Sequence, residues 1–201
     1  MVPEDDHLVI GNFATTPAAV RLIEESDVLL SVGTHFRSNE TQHYSLKLPA
    51  THIQLDLNPE AVGRVYPATV GLVGDSREIL EAIVGQLGSH SVDAAWAQQV
   101  HDVRLEVRAT LTEYIGGYAE ICHSLRERLD RESVVARDVT IPSSQWGGNR
   151  LLEMYSRETN IFPLGGGIGQ GLAMGIGGSL RPPGRSHGSY CRRRRPGRSS
   201  W

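Results

Sequence analysis

The sequence predicts an α/β chain built on parallel strands, and three observations lead there. Short β-branched runs alternate with segments of helical period, which is the pattern of strand, helix, strand units rather than of a sandwich or a bundle. The 201 residues carry 39% hydrophobic side chains, enough for one ordinary domain or two small ones. From Ser91 to Asp130 the strand pattern pauses and only helical spacing remains, which divides the chain into two units.

The elements follow in order. Thr16 before Pro17 marks a helix start with proline at the first helical position, and Ala18 to Glu25 continue it. Val28–Val32, His52–Leu57 and Thr69–Val73 read as strands. Asp75, with Glu78 three residues on, resembles a capping box opening a helix Ser76–Leu87, whose Ile79, Leu80, Ile83, Val84 and Leu87 line one face. Trp96, Val100, Val103, Val107, Leu111 and Ile115 recur at helical spacing until Gly116 and Gly117 break the pattern, and a second helix spans Tyr118–Asp130. Alternation resumes with strands Val134–Val139 and Asn160–Leu164, then a small-residue helix over Leu172–Gly177. The expected organisation is a unit over residues 1–90, a connector over 91–130, a second unit over 131–178 and a tail over 179–201.

Charge sets that tail apart. Residues 1–178 hold 13 basic and 23 acidic side chains, a net of −10, whereas residues 179–201 hold seven Arg and no acid. The tail has no apolar periodicity with which to bury a face, so it is expected to be disordered. The chain has 19 Arg and one Lys, the signature of GC-rich codons, and an out-of-frame stretch of such DNA is rich in Arg, Pro, Gly and Ser; the tail is therefore expected to be frame-shifted. Arg192 to Arg195 could neutralise nucleic-acid phosphates, but no aromatic platform accompanies them, so no nucleic-acid partner is expected.

Other classes fall away on elementary grounds. No run approaches the roughly 18 apolar residues of a membrane span, and Glu4, Asp5 and Asp6 stand where a signal peptide would be basic. Cys122 and Cys191 lie far apart with no CxxC spacing, which fits a reducing compartment, and a cytoplasmic location is expected. The eight His show no metal-ligand spacing, and no nucleophile, base and acid constellation emerges, so neither a protein-held metal nor a catalytic residue is assigned.

Three segments could carry chemistry. Val28–Val32 runs into Gly33, Thr34, Arg37 and Asn39, and in open α/β sheets ligands sit beyond the carboxyl ends of strands. Asp56 and Asn58 end the next strand and could meet ribose hydroxyls or simply cap a turn; Asp75 is open to the same two readings. Gly33, Arg37, Asp56, Asn58 and Asp75 are thus candidate nucleotide contacts, for FAD or ADP. The run Phe162 to Gly177 has glycines at 165, 166, 167, 169 and 171, which let the backbone approach a flat or anionic group or make a tight strand-to-helix turn. Thr140, Ser143 and Ser144 follow a strand and could meet a diphosphate or cap a helix.

Taken together, residues 3–11, SDVLLSVGTHF (26–36), HIQLDLNPEAVGRVYPATVGLVGD (52–75) and LGGGIGQGLAMGIG (164–177) resemble thiamine diphosphate enzymes of the acetolactate synthase and 2-oxo-acid decarboxylase superfamily. The matches fall in the family's order, from its central domain into the start of its cofactor domain. The resemblance implies thiamine diphosphate with Mg²⁺ in the intact enzyme, a small 2-oxo acid as substrate, lyase or carboligase chemistry and a homo-oligomer with the site between subunits. It implies that Ile168 lies under the cofactor's ring junction, that Gly166, Gly167 and Gly169 meet the aminopyrimidine, and that Thr140, Ser143 and Ser144 approach the diphosphate. Two departures stand out. The family's Gly-Asp-Gly metal motif should follow the glycine segment, where this chain has its arginine tail, and the domain carrying the catalytic glutamate has no counterpart. The expectation is therefore a truncated chain, inactive alone; a free-standing nucleotide-binding module is the alternative.

Overall fold

The computed structural model describes residues 2–11, 16–89, 91–140, 151–163 and 167–180. Helix α1 (Pro17–Glu25) leads into strand β1 (Val28–Val32), followed by β2 (Thr51–Asp56), β3 (Val70–Val73) and helix α2 (Ser76–Leu87). The strands lie in the order β1, β2, β3 and run parallel, with Leu30, Ile53 and Val70 in one row and Val32, Leu55 and Leu72 in another. The expected α/β class with a parallel sheet is what forms. α2 begins where Asp75 accepts the amides of Arg77 and Glu78, which satisfies two of the free N–H groups of its first turn. Thr16 precedes α1 in extended backbone without a side-chain cap, so Pro17 alone makes the local start signal.

Helix α3 (Ala94–Ile115) is the spine. It turns four apolar residues of one stripe inward, Val100, Val107, Leu111 and Ile115, and packs them in two directions. Val107 and Leu111 close on Ala18 and Ala19 of α1. Ile115 instead joins Ala119 and Cys122 of α4 (Tyr118–Arg128) with Leu151, Leu152 and Met154. Gly116, at φ +57, reverses the chain between the two helices, a conformation that costs other residues a Cβ clash. Beyond α4, the strands β4 (Val135–Ala136) and β5 (Asn160–Ile161) pair in parallel, and helix α5 (Gly171–Ser179) packs across them. β4 is shorter than the expected Val134–Val139, because Asp138 accepts the amide of Val139 and its carbonyl that of Thr140, which turns the backbone out of the ladder.

The two faces of the three-stranded sheet are unlike. Residues in register share a face, so Val28, Leu30, Val32, Ile53, Leu55, Val70 and Leu72 make an apolar side, while Ser31, His52, Gln54 and Asp56 point to the other. Ser31, His52, Gln54 and Asp56 on the polar side are buried, and so is Leu55 on the apolar side. The His52 Nδ1 lies 2.9 Å from the Pro67 carbonyl, which can only accept, so that nitrogen carries the proton and Nε2 accepts from the Ser31 hydroxyl at 2.8 Å. Gln54 donates to the Ala61 carbonyl and accepts from the Gly63 amide. Phe36 covers the network edge-on to His52 and Tyr66. By contrast, Val28, Leu30, Val32 and Val70 are exposed, as are Val84 and Leu87 on the apolar stripe of α2. No helix among the described residues is long and apolar enough to cross a membrane.

Candidate functional site

The parallel register brings the carboxyl ends of β1, β2 and β3 to one edge. Gly33 donates its amide to the Leu55 carbonyl and Gly74 donates to Asp56, so Gly33, Asp56 and Asp75 follow their strands along that edge. Each polar side chain there already has local work. Asp56 accepts the amide of Asn58, Asn58 caps the single 3₁₀ turn Pro59–Ala61, and Asp75 caps α2. Arg37 reaches Glu40 at 4.0 Å on an exposed turn. The capping alternatives weighed for Asn58 and Asp75 are the contacts that form. A cleft of about 610 Å³ beside β1 lies at the opposite, amino end of the strand, lined by Ser26, Asp27, Val92, Trp96 and Gln99, away from where α/β sheets hold ligands.

The carboxyl ends of β4 and β5 make the second candidate. Asp138 and Thr140 follow β4, and the glycine turn containing Gly167, Ile168 and Gly169 leads into α5. Ser143, Ser144 and Gly166 lie outside the described residues, as does the tail from 181 onward; α5 itself runs through Ser179. Gly169 stands at φ +94 and donates its amide to the Asp138 carboxylate at 2.7 Å. Gly171 admits no side chain: a Cβ there would sit 2.9 Å from the Asp138 backbone nitrogen and Cβ. The turn leaves Ile168 as a projecting apolar side chain, 76% exposed. Between α5 and the end of β4 runs an open cleft of about 490 Å³ lined by Ala136, Asp138, Gly171, Leu172, Gly175 and Ile176.

Partial burial pushes the Asp138 carboxyl upward, but amides of Val139, Gly169, Gly171 and Gln170 more than offset it and hold the group below its usual range. Asp138 was passed over in the sequence because its partners lie 31 residues away; an acid ending a strand ahead of a glycine run was the available signal. No group of three or more His, Cys, Asp or Glu suited to a metal occurs among the described residues.

The comparisons bear on both halves. Residues 1–83 match the family described as thiamine pyrophosphate enzyme, central domain. The chain is similar to thiamine diphosphate-dependent enzymes, over residues 1–83 to their central domain and beyond it to longer relatives. It is 29% identical over 187 residues to a probable 2-ketoarginine decarboxylase of Pseudomonas aeruginosa, covering 92% of this chain and 33% of that protein. It is 24% identical over 167 residues to a probable sulfoacetaldehyde acetyltransferase of Rhizobium meliloti, covering 68% of this chain and 28% of the relative. With a probable acetolactate synthase large subunit of Methanocaldococcus jannaschii the identity is 26% over 107 residues, 51% of this chain and 18% of the other. The chain thus spans a third or less of the length of these relatives.

Proposed function

We propose that the chain is part of a thiamine diphosphate-dependent lyase or carboligase that acts on a small 2-oxo acid, with residues 1–90 as part of the central domain and 131–178 as part of the cofactor domain. The supporting observation is the glycine turn beyond β5, which leaves Ile168 exposed next to Gly169, the residue bonded to Asp138 at the carboxyl end of β4. The residues fit the cofactor in one respect and leave another to other groups. Ile168 offers a bulky apolar surface for a bent cofactor to fold over, and Gly167 and Gly169 let backbone approach a flat ring. The Gly169 amide already serves Asp138, so the diphosphate would be met from the Thr140 side and through Mg²⁺.

When bound, thiamine diphosphate supplies the electron sink for breaking the bond next to the 2-oxo group. This chain's residues would orient it: Ile168 beneath the ring junction, Gly167 and Gly169 at the aminopyrimidine, Thr140 with Ser143 and Ser144 toward the diphosphate. In the family a glutamate next to the pyrimidine moves the activating proton, and no acid of the glycine segment takes that place. These 201 residues alone are therefore proposed not to turn over a 2-oxo acid, since loss of a general acid costs about 10²–10⁴-fold in rate.

Titration calorimetry of the chain against thiamine diphosphate with Mg²⁺, FAD and ADP tests the reading, together with decarboxylation assays on pyruvate, benzoylformate and 2-ketoarginine. Binding of thiamine diphosphate without turnover supports it. Tight binding of FAD or ADP alone would favour a free-standing nucleotide module, and steady turnover abolished by chelating Mg²⁺ would refute the inactivity.

A further inference from the structure

We infer that Asp138 is a positioning residue of the cofactor turn: its carboxylate gathers the amides that open α5 and thereby fixes where Ile168 is presented. The inference rests on the functional reading above and adds to it a residue that touches neither ring nor diphosphate. Two independent features of the geometry carry it. One carboxylate oxygen accepts the amide of Gly169 at 2.7 Å while the other accepts that of Val139 at 2.8 Å, so a single side chain joins the end of β4 to the residue after Ile168 across 31 positions of sequence. The backbone of Asp138 also lies so close to Gly171 that a methyl group there would be 2.9 Å from the Asp138 nitrogen and 3.1 Å from its Cα. Main chain and side chain of one residue thus hold the turn from below and from its amino end.

The electrostatics agree with the placement. The amide groups that begin α5 carry the positive end of its dipole, and a carboxylate there is favoured. Arg137, the adjacent ionisable side chain, is turned away: its guanidinium stands 4.8 Å from the Phe162 ring centroid and its Nε is 3.4 Å from Asn160 Oδ1. What Asp138 meets at the turn is therefore backbone N–H. A neutral Asn at this position keeps one acceptor oxygen and turns an NH₂ donor toward the other amides, whereas Glu keeps the charge on a longer arm.

The test compares the 201-residue chain with Asp138→Asn, Asp138→Glu and Gly171→Ala. In the absence of cofactor, amide exchange at Gly169 to Gly171 is read by NMR, with the α3 amides as the measure that the fold is retained. Asp138→Asn and Gly171→Ala should accelerate exchange at the turn at least about tenfold with α3 unchanged, and Asp138→Glu should restore part of the protection. The Gly169 amide shift should titrate with Asp138 at a pH below the ordinary carboxylate value of about 3.9, and should not titrate in Asp138→Asn. Thiamine diphosphate with Mg²⁺, measured by calorimetry, should bind at least about tenfold more weakly to Asp138→Asn than to the unaltered chain. Unchanged exchange in Asp138→Asn would overturn the clamp. Faster exchange with unchanged cofactor affinity would overturn the positioning role. An unaltered chain that binds no thiamine diphosphate would overturn the functional reading itself, with the exchange data still deciding the clamp.

Discussion

Replacing Glu153 by Gln should destabilise the protein by about 3 kcal/mol. The carboxylate receives Arg104 at 2.7 Å and Arg108 at 3.0 Å, and the side chains of Glu153, Arg104 and Arg108 are only 13%, 12% and 27% exposed. Removing one partner of a buried pair costs about 3–5 kcal/mol, because the remaining charges stay desolvated. Here the lower end applies. Arg104 keeps the Asp6 carbonyl and Arg108 keeps the Leu151 carbonyl, so both guanidinium groups retain a neutral acceptor. The same contacts tie residues 4–6 to residues 151–154, where Glu4 and Met154 exchange hydrogen bonds. For a chain of this size about 3 kcal/mol lowers Tm by about 6–12 °C. Thermal and urea unfolding followed by circular dichroism make the assay, with Arg21→Ala as control. Arg21 and Glu106 are each 53% exposed, so water screens the pair and its loss should cost under about 1 kcal/mol. If Glu153→Gln and Arg21→Ala shift the midpoint equally, the buried ion triad does not hold the two halves together.

Three further outcomes follow from local geometry. Gly85→Ala should stabilise by about 0.5–1 kcal/mol in urea unfolding, since a Cβ at this interior position of α2 meets nothing within 4 Å and alanine lowers the entropy of the unfolded chain. Asp75→Ala should cost about 1 kcal/mol by removing the acceptor for two amides, and Asp75→Asn should recover most of it, both read from the same unfolding curves. Burial pushes the Cys122 thiol up to about 11, so in a Cys191→Ser background the native protein should not react with a thiol reagent at pH 8 until denaturant is added. Because the folded thiol titrates above the unfolded one, the stability linked to Cys122 is complete below pH about 8.5 and is lost as pH rises toward 11; a stability rising over that window would contradict the burial.

Local signals determined much of the secondary structure. The capping Asp75 and the helical period that follows give α2 its bounds, and Gly116 with Gly117 separates α3 from α4 where the apolar spacing stops, because caps and left-handed turns are decided by neighbours in sequence. The family resemblance was legible for a related reason: strand ends and glycine turns are short contiguous strings, as residues 26–36 and 164–177 illustrate. Tertiary structure decided the rest. Nothing in the period of α3 says that Val107 faces α1 while Ile115 faces Leu151 and Met154, nor that Ser31, His52 and Gln54 are buried while Val28, Leu30 and Val32 are exposed. Asp138 and Glu153 drew no role from the sequence. Their partners lie 31 and 49 residues away, and only closure of the chain brings a carboxylate to the amides or guanidinium groups that give it a role.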